Sequence, residues 1–252
     1  MTLTERDTYR QTVQRLASAQ KGAARSAPAY SRYVNRRLGR LLAAAAFRLG
    51  LGPNAVTGIS ALFTFAGVLA LALATPSWAL GVVVSLLLVV GYALDSADGQ
   101  VARLTGTGSS AGEWLDHMVD ATKVVSLPVA LLVGLYRADA VADSWLLVPL
   151  LNAIVSSVLF FGMILTEQLR RAHGVTSRAD TGGRAPWLRS VLVVPTDYGV
   201  LCLLFLLYGA TTVFLWAYAA VTLATAGFLV LAAAKWFREI AAFGRVEDRS
   251  AT

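Results

Sequence analysis

Residues 49–94 read LGLGPNAVTGISALFTFAGVLALALATPSWALGVVVSLLLVVGYAL, and none of these 46 side chains is charged. One helical crossing of a bilayer needs roughly 20 apolar residues, so the stretch is long enough for two crossings. Thr75-Pro76-Ser77 interrupts it near the middle and predicts a turn between the two helices. This stretch therefore predicts a membrane protein with helical spans.

The composition of the whole chain agrees with this interpretation. Of the 252 residues, 56% are hydrophobic and 15% are charged, whereas an ordinary soluble domain has about 25% charged residues. The mean hydropathy is +0.61. A chain this apolar is neither a soluble globular enzyme nor a disordered protein.

Further apolar stretches bring the expected number of spans to six. Residues 144–166 and 198–234 are free of charge, the second with a fold near Tyr208-Gly209-Ala210, and residues 119–136 complete a span that begins in a charged segment. The compositions show no alternation of period two, so they favour helices over barrel strands. The prediction is an all-α bundle of six transmembrane helices, at about 54–75, 77–98, 112–136, 144–168, 190–208 and 211–235.

The two ends of the chain lie outside this bundle. Residues 30–49 mix arginines with tyrosine, leucine and phenylalanine, which suits an amphipathic helix lying in the membrane interface. A basic flank of the first span explains the charge equally well. We expect a cytoplasmic N-terminal segment with the interfacial helix over 1–50, a six-helix transmembrane domain over 51–236 and a cytoplasmic tail over 237–252.

The positions of lysine and arginine predict the orientation of the bundle. Of the 22 such residues, 20 lie before the first span, after the second and fourth spans or in the tail. Arg137 alone lies in the opposite loops, and Lys123 lies within a span. Both termini are therefore expected in the cytoplasm, with the bundle in the inner (plasma) membrane. The net charge of +7 is then a signal of topology, and no nucleic acid is expected as a partner.

Four aspartates cluster where the second and third spans meet the cytoplasm. Asp95 and Asp98 are three residues apart, so both project from one helix face. Asp116 and Asp120, four residues apart, do the same on the next span, and a short loop makes the two spans antiparallel neighbours. Four facing carboxylates need compensation by positive charge. Their oxygens suit Mg²⁺ or Mn²⁺, with Ca²⁺ as an expected inhibitor, and two divalent ions balance four aspartates.

Small residues flank these aspartates at a distance of one helical turn. Gly99, Ala102 and Gly112 leave the rim without side chains, so a bulky, flat ligand can approach the backbone there. Arg103 at the same rim either pairs with a phosphate or extends to the membrane surface. Lys123, about one turn beyond the last aspartate, either offsets the charge of the aspartates or meets a phosphate.

The complete pattern is Asp95-x2-Asp98-Gly99-x2-Ala102-Arg103-x8-Gly112-x3-Asp116-x3-Asp120. It resembles the signature of the CDP-alcohol phosphotransferases. The resemblance implies magnesium-dependent transfer of a phosphoryl-alcohol group, such as phosphatidyl from CDP-diacylglycerol, to an acceptor hydroxyl with release of CMP, in phospholipid biosynthesis. It also implies a homodimer and a polyol or polyol phosphate as the acceptor.

The resemblance further implies roles for individual residues. The four aspartates Asp95, Asp98, Asp116 and Asp120 would hold two metal ions, and Asp120 would also act as the general base. The cytidine diphosphate pocket would comprise Gly99, Ala102, Arg103 and Gly112, with a polar contact from Asn54 and Thr57 at the start of the first span. Asn54 by itself is more typical of a helix N-cap. Among the aspartates, Asp98 is expected nearest the solvent edge and Asp120 deepest.

The acceptor site is less well defined by the sequence. Family branches that use inositol phosphate or glycerol phosphate carry basic residues in the cytoplasmic half of the fourth helix, whereas residues 155–169 here contain only Glu167 as a charge. Arg170 and Arg171 follow at the expected loop. Asp197, expected about two turns into the fifth span, either binds acceptor hydroxyls or caps a helix.

Two other functions would use the same residues. A transferase with a soluble CDP-alcohol donor and a lipid or polyol-phosphate acceptor shares the nucleotide half of the substrate, so the motif does not separate it from the first hypothesis. A cation or proton carrier needs ionisable groups through the thickness of the bilayer, and here the aspartates are confined to the cytoplasmic side. The carrier is therefore the remote alternative.

Overall fold

The computed structural model of the protein describes residues 8–18, 28–175 and 196–250, with side chains up to residue 243. Regular structure in these residues is helical, without strands, as predicted. Short turns of other helix types lie at Ser31–Asn35, Asp143–Leu146 and Phe205–Leu207. The α-helices of the described residues are α1 Tyr9–Ser18, α2 Arg36–Arg48, α3 Pro53–Leu73, α4 Trp78–Thr105, α5 Ser110–Arg137, α6 Leu147–Ala172, α7 Tyr198–Leu204 and α8 Thr211–Ser250.

Five of the described helices are long and apolar enough to cross a membrane: α3, α4, α5, α6 with its preceding turn, and α8 as far as Phe243. They correspond to five of the six predicted spans. Residues 190–195 of the remaining span lie outside the described residues. Its other part forms an apolar helix at Tyr198–Leu207, which is shorter than the roughly 20 residues of a full crossing. The sixth span stays a prediction.

The ends of α4 and α5 determine how the motif is presented. Ser77 caps α4 by accepting a hydrogen bond from the Leu80 N–H, so the predicted turn before it is confirmed. α4 runs past its predicted end at residue 98 and stops where Gly106 adopts a φ of +68°, a left-handed conformation that favours glycine. Ser109 then caps α5. The short loop reverses the chain, so side chains of α4 and α5 meet at Asp95 and Lys123, while α3 packs closely against both helices.

α4 packs against several other helices of the bundle. Its apolar side chains join those of α3, α5, α7 and α8 in one core, to which the buried Leu88, Leu131 and Tyr218 belong. α3 approaches α4 closely at Gly91, where a Cβ would collide with the Thr64 hydroxyl. This close approach brings polar side chains of α3 next to the aspartates of α4.

The segment before α3 packs on the motif half of α4. Gly39 of α2 faces Ser96, whose Oγ would lie 2.8 Å from a Cβ at the glycine, so any larger residue would force the serine to shift. Leu38 and Leu41 of the same helix are exposed. A helix thus lies inside the predicted range 30–49, and its placement in the membrane interface stays a prediction.

The last helix is longer than expected. α8 continues to Ser250 without a break at residue 236, where the boundary between the transmembrane domain and the tail was predicted. The beginning of the predicted tail is therefore a continuation of the final helix.

Candidate active site

An acidic cluster lies where α4 and α5 face each other. One carboxylate oxygen from each of Asp95, Asp116 and Asp120 lies within 4.8 Å of the other two. All three residues are half-buried. Three oxygen ligands at such separations fit one hard divalent cation of the Mg²⁺ type. The structure therefore brings together three of the four predicted metal ligands.

Asp98 differs from the other aspartates in its surroundings. It is only 7% exposed, and its Oδ2 accepts a hydrogen bond of 2.6 Å from the hydroxyl of Thr57 on α3. Its other carboxylate oxygen faces the backbone N–H of Gly99. The prediction that Asp98 lies nearest the solvent edge is therefore wrong, because α3 covers that face of α4. Thr57, which is predicted to contact the nucleotide, holds this carboxylate.

Lys123 lies within the acidic cluster. Its Nζ is 2.5 Å from Asp95 Oδ1, 3.1 Å from Asp120 Oδ1 and 3.3 Å from Ser60 Oγ. The lysine side chain is 6% exposed, whereas Asp95 and Asp120 are 19% and 28% exposed. Of the two roles considered for Lys123, this geometry favours offsetting the charge of the aspartates.

Two parts of the predicted nucleotide pocket face each other across α3 and α5. A Cβ at Gly112 would lie 3.1 Å from Asn54 Oδ1, so the missing side chain leaves room for this amide. On α4, a Cβ at Gly99 would lie 3.4 Å from Arg103 Nη1. The rim at Gly99 is therefore covered by the arginine rather than bare, while Ala102 lies half-buried on the same helix.

Further arginines lie beside Arg103. Burial lowers the pKa of Arg36, and the neighbouring guanidinium groups of Arg103 and Arg32 lower it further. α2 thus adds positive charge beside Arg103, the last motif residue of α4. This concentration of positive charge suits an anionic group such as a diphosphate.

The predicted acceptor arginines are engaged in ion pairs. Arg170 forms two parallel hydrogen bonds to Glu239 of α8, at 2.8 and 2.7 Å. Arg171 Nη1 lies 2.6 Å from an oxygen of Glu113 at the start of α5. Both arginines belong to the last turn of α6 rather than to the loop expected there, because the helix continues to Ala172. They link the end of α6 to the start of α5 and to α8.

Asp197 acts as the N-cap of α7. Its Oδ1 accepts a hydrogen bond of 3.1 Å from the Gly199 N–H. Its Oδ2 accepts from the N–H groups of Tyr30 and Ser31, at 2.8 and 3.2 Å. The expectation that Asp197 lies about two turns inside a helix was wrong, since α7 begins at the next residue. The carboxylate joins α7 to the segment before α2.

Ser60 was not predicted as a site residue from the sequence. The signal was a polar stripe in an otherwise apolar helix, since Thr57, Ser60 and Thr64 share one face of α3 at helical spacing. All three side chains are buried. Ser60 Oγ donates to the Gly91 carbonyl and lies next to the lysine ammonium, so this stripe supports the acidic cluster from the side of α3.

Comparison with known protein families agrees with this geometry. Residues 51–230 match the family model described as CDP-alcohol phosphatidyltransferase, which is more than half of the chain. The matched range includes every position of the motif, and with it Asp95, Asp98, Asp116 and Asp120. A search of curated proteins found no match.

Proposed function

This chain belongs to the CDP-alcohol phosphatidyltransferase family, and on that premise we propose that it transfers a phosphatidyl group from CDP-diacylglycerol to a hydroxyl of a polyol or polyol phosphate, with release of CMP, in phospholipid biosynthesis. Family membership supports a transferase of phosphate-containing groups, and the five long apolar helices support a multi-pass membrane protein. The observation that carries the proposal is the convergence of Asp95, Asp116 and Asp120 between α4 and α5.

Divalent cations would be held by the aspartates of the motif. Asp95, Asp116 and Asp120 supply a set of oxygens that fits one ion, and in our proposal Asp98 completes the set for two Mg²⁺ or Mn²⁺ ions. Bound metal would neutralise the diphosphate and stabilise CMP as the leaving group. The residues of the chain supply the remaining steps.

The transfer step requires a base and an orienting pocket. We assign Asp120 as the group that accepts the proton of the acceptor hydroxyl. The acceptor oxygen forms a bond to the donor phosphorus that carries the alcohol, and the bond from that phosphorus to the bridging oxygen breaks, so the electron pair leaves with CMP. Asn54 and Arg103 would orient the nucleotide and its phosphates, with Gly112 providing room beside Asn54.

Two alternatives for the acceptor and two for the donor must be distinguished by an assay. Arg170 pairs with Glu239 and Arg171 pairs with Glu113, so a phosphorylated acceptor would have to displace these carboxylates to bind the two arginines. An unphosphorylated polyol therefore has the stronger support. A soluble CDP-alcohol donor with a lipid acceptor is the alternative, because it shares the same nucleotide half.

The decisive experiment incubates the purified full-length chain with Mg²⁺ and CDP-diacylglycerol and a panel of polyols and polyol phosphates. CMP release and the mass of the lipid product are measured together. Parallel reactions contain CDP-alcohols with diacylglycerol or polyol phosphates as acceptors. We expect phosphatidyl transfer only with CDP-diacylglycerol, and its loss after exhaustive chelation. If turnover survives chelation, the reaction does not depend on a divalent metal ion. If product forms only from soluble CDP-alcohols, the donor is a soluble CDP-alcohol and not CDP-diacylglycerol.

The proposal includes the cellular setting implied by the resemblance. We place the protein in the inner (plasma) membrane as a homodimer, with the active site and both termini facing the cytoplasm, where CDP-linked donors are supplied. Native mass spectrometry from a lipid-like detergent tests the oligomeric state. Monomers alone at every protein concentration would contradict the dimer.

A further inference from the structure

The ammonium group of Lys123 has a complete set of hydrogen-bond partners. An ammonium carries three N–H donors, and three acceptors surround Lys123: Asp95 Oδ1 at 2.5 Å, Asp120 Oδ1 at 3.1 Å and Ser60 Oγ at 3.3 Å. These acceptors come from α4, α5 and α3. With each donor matched to one acceptor, none remains directed at a substrate phosphate.

The burial of Lys123 points to the same role. A lysine that is 6% exposed loses most of its hydration, and only nearby negative charge offsets that cost. Asp95 and Asp120, two of the three carboxylates that lie close enough together to bind one metal ion, provide this charge. The lysine and the divalent cation must therefore share Asp95 and Asp120 as partners.

We propose that Lys123 is a positioning residue that serves as a built-in counter-ion of the aspartate cluster: it bridges Asp95 of α4 and Asp120 of α5, and it limits how tightly the cluster binds divalent cations. This inference rests on the proposed function of the site. The bridge keeps the carboxylates of two helices at a fixed separation before substrate binds. Its positive charge repels a divalent cation bound to the same aspartates, since both cations lie within a few ångströms in a poorly solvated site.

The test compares divalent-cation binding by variants of the full-length chain. Lys123→Met removes the charge and keeps much of the side-chain volume, and Lys123→Gln is a second neutral variant in case the first does not fold. Lys235→Met is the matched control, because Lys235 is an exposed lysine on α8. Mn²⁺ affinity is measured by electron paramagnetic resonance titration without donor or acceptor, and kcat and KM are measured separately.

We expect the neutral Lys123 variants to bind Mn²⁺ about tenfold more tightly or better, with lower kcat and unchanged KM for donor and acceptor. The Lys235→Met variant should bind Mn²⁺ as the original chain does. Unchanged or weaker Mn²⁺ binding by both folded Lys123 variants would overturn the inference, and so would a rise in KM alone, which would indicate contact with substrate. A chain that binds Mn²⁺ but transfers no lipid would instead contradict the proposed reaction, while the comparison of Mn²⁺ affinities would still stand.

Discussion

The four aspartates have the same chemistry but different neighbours. Asp98 is held by Thr57 on the side of α3, whereas Asp120 shares the Lys123 ammonium with Asp95. The side chain of Asp120 is 28% exposed, so a hydroxyl can reach its carboxylate more easily than that of the buried Asp98. These surroundings support separate roles for the two residues.

Substitution by asparagine should distinguish the base from a metal ligand. Asp120→Asn should retain CMP binding but lose activity by about 10² to 10⁴-fold, because a general base cannot be replaced by metal. Asp98→Asn should weaken metal binding, and excess Mg²⁺ should partly restore its activity. CMP release is measured across a Mg²⁺ titration for both variants. Equal rescue of both would show that Asp120 is only a ligand and that the base lies elsewhere.

Gly112 tests the position of the nucleotide pocket. In Gly112→Leu the new side chain must displace Asn54, whose Oδ1 lies 3.1 Å from the Cβ position, so CMP affinity should fall at least about tenfold. Gly227→Leu is the matched control, since nothing lies within 4 Å of a Cβ at that position. CMP binding is measured by calorimetry with both folded variants. Unchanged affinity in Gly112→Leu would mean that the nucleotide binds elsewhere.

At the scale of whole helices, polar side-chain contacts determine which helices lie next to each other. Asp197 joins the start of α7 to the backbone of Tyr30 and Ser31. Arg170 joins the end of α6 to Glu239 of α8. Lipid provides no hydrophobic force between apolar helices, so such contacts and close packing determine which helices associate.

The Asp197 cap gives a prediction for the stability of one element. Asp197→Ala leaves three backbone N–H groups without their acceptor, so the free energy of unfolding should fall by at least about 1 kcal/mol, with acceptor KM unchanged. Asp197→Asn keeps one oxygen acceptor and should lose less. Chemical denaturation and steady-state kinetics are measured for both variants. A raised acceptor KM with full stability would restore the alternative, in which Asp197 binds acceptor hydroxyls.

At the scale of the molecule, the charge distribution and the positions of the loops predict one orientation in the membrane. The α4–α5 loop should face the cytoplasm and the α5–α6 loop the opposite side. The only cysteine in the sequence, Cys202, is buried, so single exposed cysteines can be introduced without removing it.

Labelling of intact cells by a membrane-impermeant maleimide tests this orientation. Ala142→Cys in the α5–α6 loop should react in intact cells, whereas Thr107→Cys in the α4–α5 loop should react only after lysis; both positions are exposed. The unaltered chain is the control and should remain unlabelled. The reverse pattern would place the aspartates on the outer side of the membrane and contradict a cytoplasmic active site.

Local patterns in the sequence were sufficient to predict most of the helices and to identify the aspartate motif. Charge-free length identifies a membrane helix because each span satisfies its own backbone hydrogen bonds and needs only enough apolar residues. The spacing of Asp95 and Asp98, or of Asp116 and Asp120, likewise depends on the periodicity of one helix. Five long apolar helices agree with five of the six predicted spans, and the convergence of Asp95, Asp116 and Asp120 confirms the predicted meeting of α4 and α5 for three of the four aspartates.

The partners of the polar side chains were decided by tertiary packing. Thr57 meets Asp98 across 41 positions of the chain, Lys123 meets Asp95 across 28, and Asp197 meets Tyr30 across 167. Each contact joins parts of the chain that are distant in sequence, and its existence depends on how the helices are rotated about their axes and how closely they approach. Periodicity within one helix contains no information on that rotation, which is why the burial of Asp98 and the capping role of Asp197 required the folded structure.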